Sequence, residues 1–326
     1  MEKLKAAIVI GAGNWGRPLA GLLARNVPVR LWTIDHAEAD SIIARRDELL
    51  HKNSRAQKIV IEPKFTSNIA EQDTLIVMAV PSSQVSDVAA ELASHTTAPT
   101  VLSLSKGFDI DRFCTPGGMI VRQIPKAKVV CLTGPTIANE INMGLPTTAV
   151  LSSDHLAELA RVKEVLRNDV INFVIDRNPV HHEVCAALKG IVAIGVGMAE
   201  GLELGINFQS VVITQGIKEM TRIASFFDIP EEVVYGLSGI GDVMTTCMSP
   251  DSRNRKLGCL IGRGLSLKEA LTQVQMTVEG VSMSKTIETL WSLDVSISLF
   301  HFIDNAIFNK NPDLRGDFIK LIRSFS

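Results

Sequence analysis

The stretch AAIVIGAGNWGRPLAGLLARN, residues 6–26, decides the fold. The apolar run AAIVI (6–10) leads into Gly11, Gly13 and Gly16 at GxGxxG spacing. RPLAGLLARN (17–26) follows with apolar residues at helical intervals. Strand, glycine turn and helix in that order have a specific physical use. Gly11 permits the tight turn, Gly13 lets the backbone approach a pyrophosphate, and Gly16 lets the helix pack closely on the strand. The pyrophosphate then meets the free N–H groups at the helix start. The pattern predicts a dinucleotide site at the first strand–helix junction; the bland alternative is a tight βα turn with no ligand. The acid that would bond the adenine ribose is expected about 20 residues further on. Leu31, Trp32, Thr33 and Ile34 stand there, and the first acid is Asp35. No arginine follows closely to hold a 2′-phosphate, so NAD and NADP both remain open.

Outward from that junction, PVRLW (28–32), TLIVMAV (74–80), PTVLSL (99–104) and KVVCLTG (128–134) read as further buried strands. Helical patterns such as QVSDVAAELASH (84–95) lie between them, and this alternation predicts a parallel sheet covered by helices. Strand signals fade after about residue 175. Segments 183–203 and 207–227 read as helix, then a glycine-rich turn around 236–242, then more helix. The expectation is an α/β Rossmann-type domain over 1–178 and an all-α domain over 179–326.

The 326 residues are 46% hydrophobic and 21% charged, with a net charge of −2, so a packed core is easily built. No basic block suggests a nucleic-acid surface. No run approaches the roughly 18 uninterrupted apolar residues of a membrane span. The chain enters its first strand at once, leaving no room for a signal peptide, and a cytoplasmic protein is expected. Cys114, Cys131, Cys185, Cys247 and Cys259 show no ligand spacing; they read as reduced, mostly core thiols, with no metal site expected.

Two later stretches carry chemistry. In CAALKGIVAIG (185–195), Lys189 sits among small and apolar residues, with Glu183 and Glu200 as its nearest charges in sequence. Lysine is rarely buried unless paired; the residue is either functional or a snorkelling lysine at a helix edge. In GLSGIGDVMTTCMSPDSRNRKLG (236–258), glycines 236, 239 and 241 precede Asp242, and SRNR precedes a helix pattern. Arginine and asparagine at a helix start can hold an anion. Taken alone, Asp242 reads equally as a turn or capping residue, and Arg253 and Arg255 as a solvated helix start.

Taken together, GAGNWG, AVPSSQV, SLSKGFD, TGPTIANEI, ALKGIVAIGVGMAEGL, GIKEM, GLSGIGDVMTTC, SRNRKLG and VEG occur in family order over nearly the whole chain. In these motifs the chain resembles the soluble NAD(P)-dependent glycerol-3-phosphate dehydrogenases. The resemblance implies a Rossmann domain followed by a helical domain of the 6-phosphogluconate dehydrogenase C-terminal type. It implies reversible hydride transfer between NAD(P)H and dihydroxyacetone phosphate, giving glycerol 3-phosphate for phospholipid synthesis, with a homodimer as a possible assembly. By the same resemblance Lys189 is the acid/base and Asp242 its partner. Lys106 reaches the reacting end of cofactor and substrate, and Gly134 and Thr136 form a substrate loop. Ser252, Arg253 and Asn254 hold the substrate phosphate, and Arg253 also borders the cofactor. Gly11, Gly13, Asn14, Trp15, Gly16, Ala138 and Glu279 contact the cofactor.

The chain departs from the family pattern at four places. Gly190 stands for an asparagine that contacts substrate, and Gln215 for an arginine. Arg17-Pro18 opens the first helix in place of small residues, and LLHKNSRAQKIVIEP (49–63) lacks the usual NxxYLP. At Gly190, either a neighbouring polar group or water supplies the missing amide's bonds, or the site binds more weakly. The alternatives to a glycerol-3-phosphate dehydrogenase are a dehydrogenase of another phosphorylated or acidic ketone, and a non-catalytic cofactor-binding relative. Retention of Lys106, Lys189, Asp242, Arg253 and Asn254 as a set argues against the last.

Overall fold

A computed structural model of the chain describes residues 3–34, 36–44, 59–63, 73–275, 277–309 and 311–325. The chain divides into two compact units, the first made of residues up to Lys106 with Thr115–Val180, the second of Gly107–Cys114 with His181 onward.

The first unit is built on one eight-stranded sheet. Its strands are β1 (Ala6–Ile10), β2 (Val29–Thr33), β3 (Ile59–Pro63), β4 (Thr74–Met78), β5 (Thr100–Ser103), β6 (Lys128–Thr133), β7 (Thr147–Ser152) and β8 (Ile171–Asp176). Their order is β3-β2-β1-β4-β5-β6-β7-β8. All pairs are parallel except β6 with β7. The apolar strands are two-faced, as a period of two requires. Ala7 and Val9 point to the side covered by helix Gly16–Leu23 and helix Leu156–Val165. Ile8 and Ile10 point to the side covered by helix Val85–Leu92 and helix Pro116–Gln123. Leu19 and Leu23 are wholly buried, each contributing about 1.5–3 kcal/mol. Order reverses between β1 and β4, the switch point at which open α/β sheets bind ligands.

The second unit is helical around Pro179–Gly201. That helix is long and apolar enough to cross a bilayer, yet 83% of its apolar window is buried inside the protein, so it is a core helix. The expected turn at 236–242 is instead a π-helical turn, Leu237–Gly241, leading directly into helix Asp242–Met248. Gln215, on helix Gly205–Phe226, donates to Glu219 at 3.0 Å. Glu219 in turn accepts from the backbone N–H groups of Leu299 and Phe300, both at 2.9 Å, at the start of helix Ser298–Phe308. Residues 107–114, read from sequence as part of the first domain, pack in this unit. The Phe108 ring meets Phe227 edge-on at 5.3 Å, and Asp111 pairs with Lys285.

One buried carboxylate ties the first unit's helix to its sheet. Glu158 accepts from Thr100 Oγ1 at 2.9 Å, Lys128 Nζ at 3.0 Å and Arg161 Nη1 at 2.7 Å. Thr100 and Lys128 open β5 and β6, so helix Leu156–Val165 is pinned to two adjacent strand starts. Burial pushes the Glu158 carboxyl up, but the hydrogen bonds from Lys128 and Thr100 and the Arg161 charge outweigh it and hold it below the ordinary 4.5. A folded value below the unfolded one gives stability present above the unfolded value and lost as pH falls through the folded one. Glu158→Gln is expected to cost about 1–3 kcal/mol of unfolding free energy at neutral pH. Urea titrations should show the gap to wild type closing on acidification; a widening gap would refute the assignment.

Candidate active site

The glycine fingerprint does three separate jobs. Gly11 has φ of +102°, and a Cβ there would stand 2.7 Å from the Ala79 carbonyl oxygen at the end of β4. At Gly16 a Cβ would collide with the Gly11 carbonyl, so helix Gly16–Leu23 can lie this close only with glycine. Gly13 faces open space: among the described residues, its chain neighbours aside, no atom lies within 4 Å of where a Cβ would stand. The turn is therefore closed on the protein side and open outward, which suits a pyrophosphate. No side chain caps the helix start and its first turn carries no acid, so the positive end of the helix dipole is open to an anion there. Pro18 falls in that first turn, where its missing N–H is tolerated.

Other residues expected on the cofactor side gather in the same unit. Trp15 Nε1 donates to the Thr136 carbonyl at 3.1 Å, tying the fingerprint to the loop after β6. Thr136 Oγ1 and Lys106 Nζ both donate to the Gly134 carbonyl, at 3.0 and 3.4 Å. Gly134 has φ of +104°, and Ala138 opens the short helix that follows. Asn14 is exposed at the turn. The fingerprint, Lys106, Gly134, Thr136 and Ala138 thus meet at the carboxyl ends of β1, β5 and β6. Asp35 and residues 49–58 lie outside the described residues.

The residues expected to form the acid/base group lie in the helical unit. Lys189 Nζ bonds Asp242 Oδ1. Asp242 is 1% exposed, while the Lys189 side chain retains 14% exposure. Thr246, one turn along, donates to the Asp242 carbonyl at 2.7 Å and lies 3.5 Å from its Oδ1. The sequence reading missed Thr246, although four-residue spacing in DVMTT places the two on one helix face.

Ser252 caps helix Arg253–Gly262, its Oγ accepting from the Arg255 N–H. Arg253 Nη1 donates to the Thr277 carbonyl at 2.8 Å, just before the Glu279–Ser282 turn. Arg255 is otherwise engaged: it bonds Glu200 at 2.8 Å and the Met248 carbonyl at 3.2 Å. Cys185 and Cys247, buried near this region, have their thiols pushed up to about 12 by burial, which makes them poor nucleophiles.

Asn254 stands beside Gly190. Its Oδ1 accepts from the Gly280 N–H at 3.0 Å, and its Nδ2 lies 3.5 Å from where a Gly190 Cβ would be. Gly280 Cα is only 2.8 Å from that point. The space that a side chain at 190 would enter is thus taken by the Gly280 backbone, with an amide nitrogen at its edge. Gly190, Asn254 and the Glu279–Ser282 turn are brought together around this contact, with Lys189 next to Gly190 in the chain.

Residues 6–159 match the family model described as NAD-dependent glycerol-3-phosphate dehydrogenase N-terminus, and residues 178–313 the model for its C-terminus. The chain is 32% identical over 315 residues to glycerol-3-phosphate dehydrogenase [NAD(P)+] of Synechococcus elongatus, covering 94% of each protein. It is 33% identical over 317 residues to the protein of the same name from Chlorobium phaeobacteroides, covering 93% of each. Among solved structures it is similar to the glycerol-3-phosphate dehydrogenase of Coxiella burnetii, with a TM-score of 0.89, 25% identity and 98% coverage of both chains.

The Gly190–Gly280 approach sets a testable constraint. An added methyl costs about 1–3 kcal/mol when a packed neighbour must move, against about 1 kcal/mol gained in helix propensity. Gly190→Ala is expected to lower unfolding free energy by up to about 2 kcal/mol. Stabilisation in a urea titration would mean that the Glu279–Ser282 turn yields freely.

Proposed function

The chain belongs to the NAD-dependent glycerol-3-phosphate dehydrogenase family, and we propose that it interconverts dihydroxyacetone phosphate and sn-glycerol 3-phosphate, supplying glycerophospholipid synthesis. The observation that carries the reading is the Lys189–Asp242 pair. A ketone reduction needs a proton donor held at a fixed point, and a lysine backed by a buried carboxylate is such a group.

NAD(P)H, when held by the fingerprint residues, would supply the hydride for C2 of the ketone. As charge develops on the C2 oxygen, the Lys189 ammonium stabilises it and delivers the proton; in the reverse direction the amine takes it back. Asp242 holds Nζ in place and offsets the cost of burying the ammonium. Arg253 and Asn254, with Ser252 beside them, hold the phosphate at the helix start. One Arg253 donor is used on the Thr277 carbonyl, and a guanidinium has five N–H groups, so donors remain for a phosphate. Gly11, Gly13, Asn14, Trp15, Gly16 and Ala138 hold the dinucleotide, with Arg253 and Glu279 as further contacts. Lys106 bears on the reacting end, and Gly134 and Thr136 form the loop for substrate. Asn254 Nδ2, 3.5 Å from where a Gly190 Cβ would be, is the polar group available beside that position. The reading includes a cytoplasmic enzyme and, as its possible assembly, a homodimer, for which sedimentation is the check.

The direct test mixes pure protein with dihydroxyacetone phosphate and NADH or NADPH and follows loss of the reduced-nicotinamide absorbance. Consumption with another phosphorylated or acidic ketone, and not with this one, would favour a related dehydrogenase. Lys189→Met should reduce turnover by about 10²–10⁴ while nucleotide affinity changes little; a variant keeping more than about a tenth of normal turnover would remove Lys189 from the chemistry. Arg253→Ala should cost about 1.5–3 kcal/mol, roughly 10- to 150-fold in kcat/KM. Unphosphorylated dihydroxyacetone should be almost indifferent to that change, and equal losses on both substrates would show that Arg253 supports the fold or the cofactor.

A further inference from the structure

We propose that His182 is a positioning residue for the Lys189–Asp242 pair, acting through Ser238. This rests on the reading of Lys189 as the acid/base. His182 Nδ1 and Ser238 Oγ are 2.8 Å apart, and both residues are buried, at 7% and 1% exposure. His182 lies on the same helix as Lys189, seven residues earlier. Seven residues are about two turns, so the two side chains leave one face within about 20° of each other, some 10 Å apart along the axis. Ser238 lies four residues before Asp242. Two polar rungs therefore join the same two stretches of chain: His182 to Ser238, and Lys189 to Asp242.

The need for the first rung comes from the π turn. Ser238 sits inside Leu237–Gly241, where the Gly241 N–H bonds the Gly236 carbonyl five residues back, at 3.1 Å. A π turn holds one residue more than an α turn. If that residue were absorbed into α geometry, everything after it would rotate by about 100°, and Asp242 would turn away from Lys189. An anchor within the π turn resists that rotation, and the His182–Ser238 bond is such an anchor. It acts on the direction of the Asp242 carboxylate without touching substrate or cofactor.

The test compares wild type with His182→Leu, Ser238→Ala and His182→Asn, the last placing an amide atom close to the position of ring Nδ1. His182→Leu and Ser238→Ala should each lower kcat by about 10- to 100-fold, as misplacing a catalytic group by about 1 Å does. KM for dihydroxyacetone phosphate and nucleotide affinity should stay near wild type, and His182→Asn should restore most of kcat. Ser238→Ala is the smaller change and carries the test if His182→Leu does not fold. Unchanged kcat in both variants, or a joint loss of kcat, KM and stability that asparagine does not rescue, would overturn the proposal. Urea unfolding of His182→Leu, Asp242→Asn and the double variant separates it from the assigned reaction. The two changes should be non-additive by about 5- to 30-fold in the unfolding constant. Additive effects overturn the positioning role even in an active enzyme. Non-additivity in a protein that does not reduce dihydroxyacetone phosphate upholds the rung and refutes the assigned reaction.

Discussion

An ammonium on a core helix is costly to leave without a counter-charge, and much of the helical unit is arranged around meeting that cost. Helix Pro179–Gly201 packs Leu188, Ile191, Val192 and Ile194 into the core, yet it carries Lys189 in their midst. Asp242 answers it from a position that is itself almost wholly buried. A buried pair of this kind gains little over an apolar pair, but removing one partner strands the other. The two residues are therefore bound to one another as firmly as either is bound to the fold. The π turn ahead of Asp242 and Thr246 one turn after it flank that carboxylate.

In the sheet unit the constraint is the opposite: the backbone must leave room. Gly11 and Gly16 close the first βα junction so tightly that neither can carry a side chain, while Gly13 opens outward. The Trp15–Thr136 bond then ties that junction to the loop after β6, whose Gly134 carbonyl also receives Lys106. Positions far apart in sequence are gathered because parallel strands all deliver their carboxyl ends to one edge.

The parts of this arrangement that were legible in the sequence share a cause. β1 and β4 are buried on both faces and read as unbroken apolar runs, while β2, β5 and β6, mostly buried, read as apolar runs with single polar residues such as Arg30 in them. β8 lies at the sheet edge, with Val174 and Ile175 exposed, and β7 opens on two half-buried threonines; neither gives that signal. β3, at the other edge, exposes Val60. Glu158 carries no signal of its own in the sequence, since two of its three partners come from strand starts far away along the chain. His182 stands seven residues before Lys189, a spacing present in the sequence, but its partner Ser238 lies 56 residues further on. The π turn looked like a glycine loop because glycine has no side chain to report helical periodicity.

The placement of residues 107–114 has a consequence for how the chain comes together. The polypeptide passes from the first unit to the second at Lys106–Gly107, returns at Cys114–Thr115, and leaves again after Val180. A cut at the sequence boundary near 178 would therefore yield no complete second unit, since its Phe108 and Asp111 would stay on the other piece. During synthesis the same eight residues emerge long before the helices they pack on: Thr286, which bonds the Phe108 carbonyl, lies 178 residues further along. Closing so large a loop carries an entropic cost that only the finished helical unit offsets. The first unit's sheet can form from a nearly contiguous chain, whereas the second must wait for its own carboxyl-terminal half, which makes it the later of the two to be completed during synthesis.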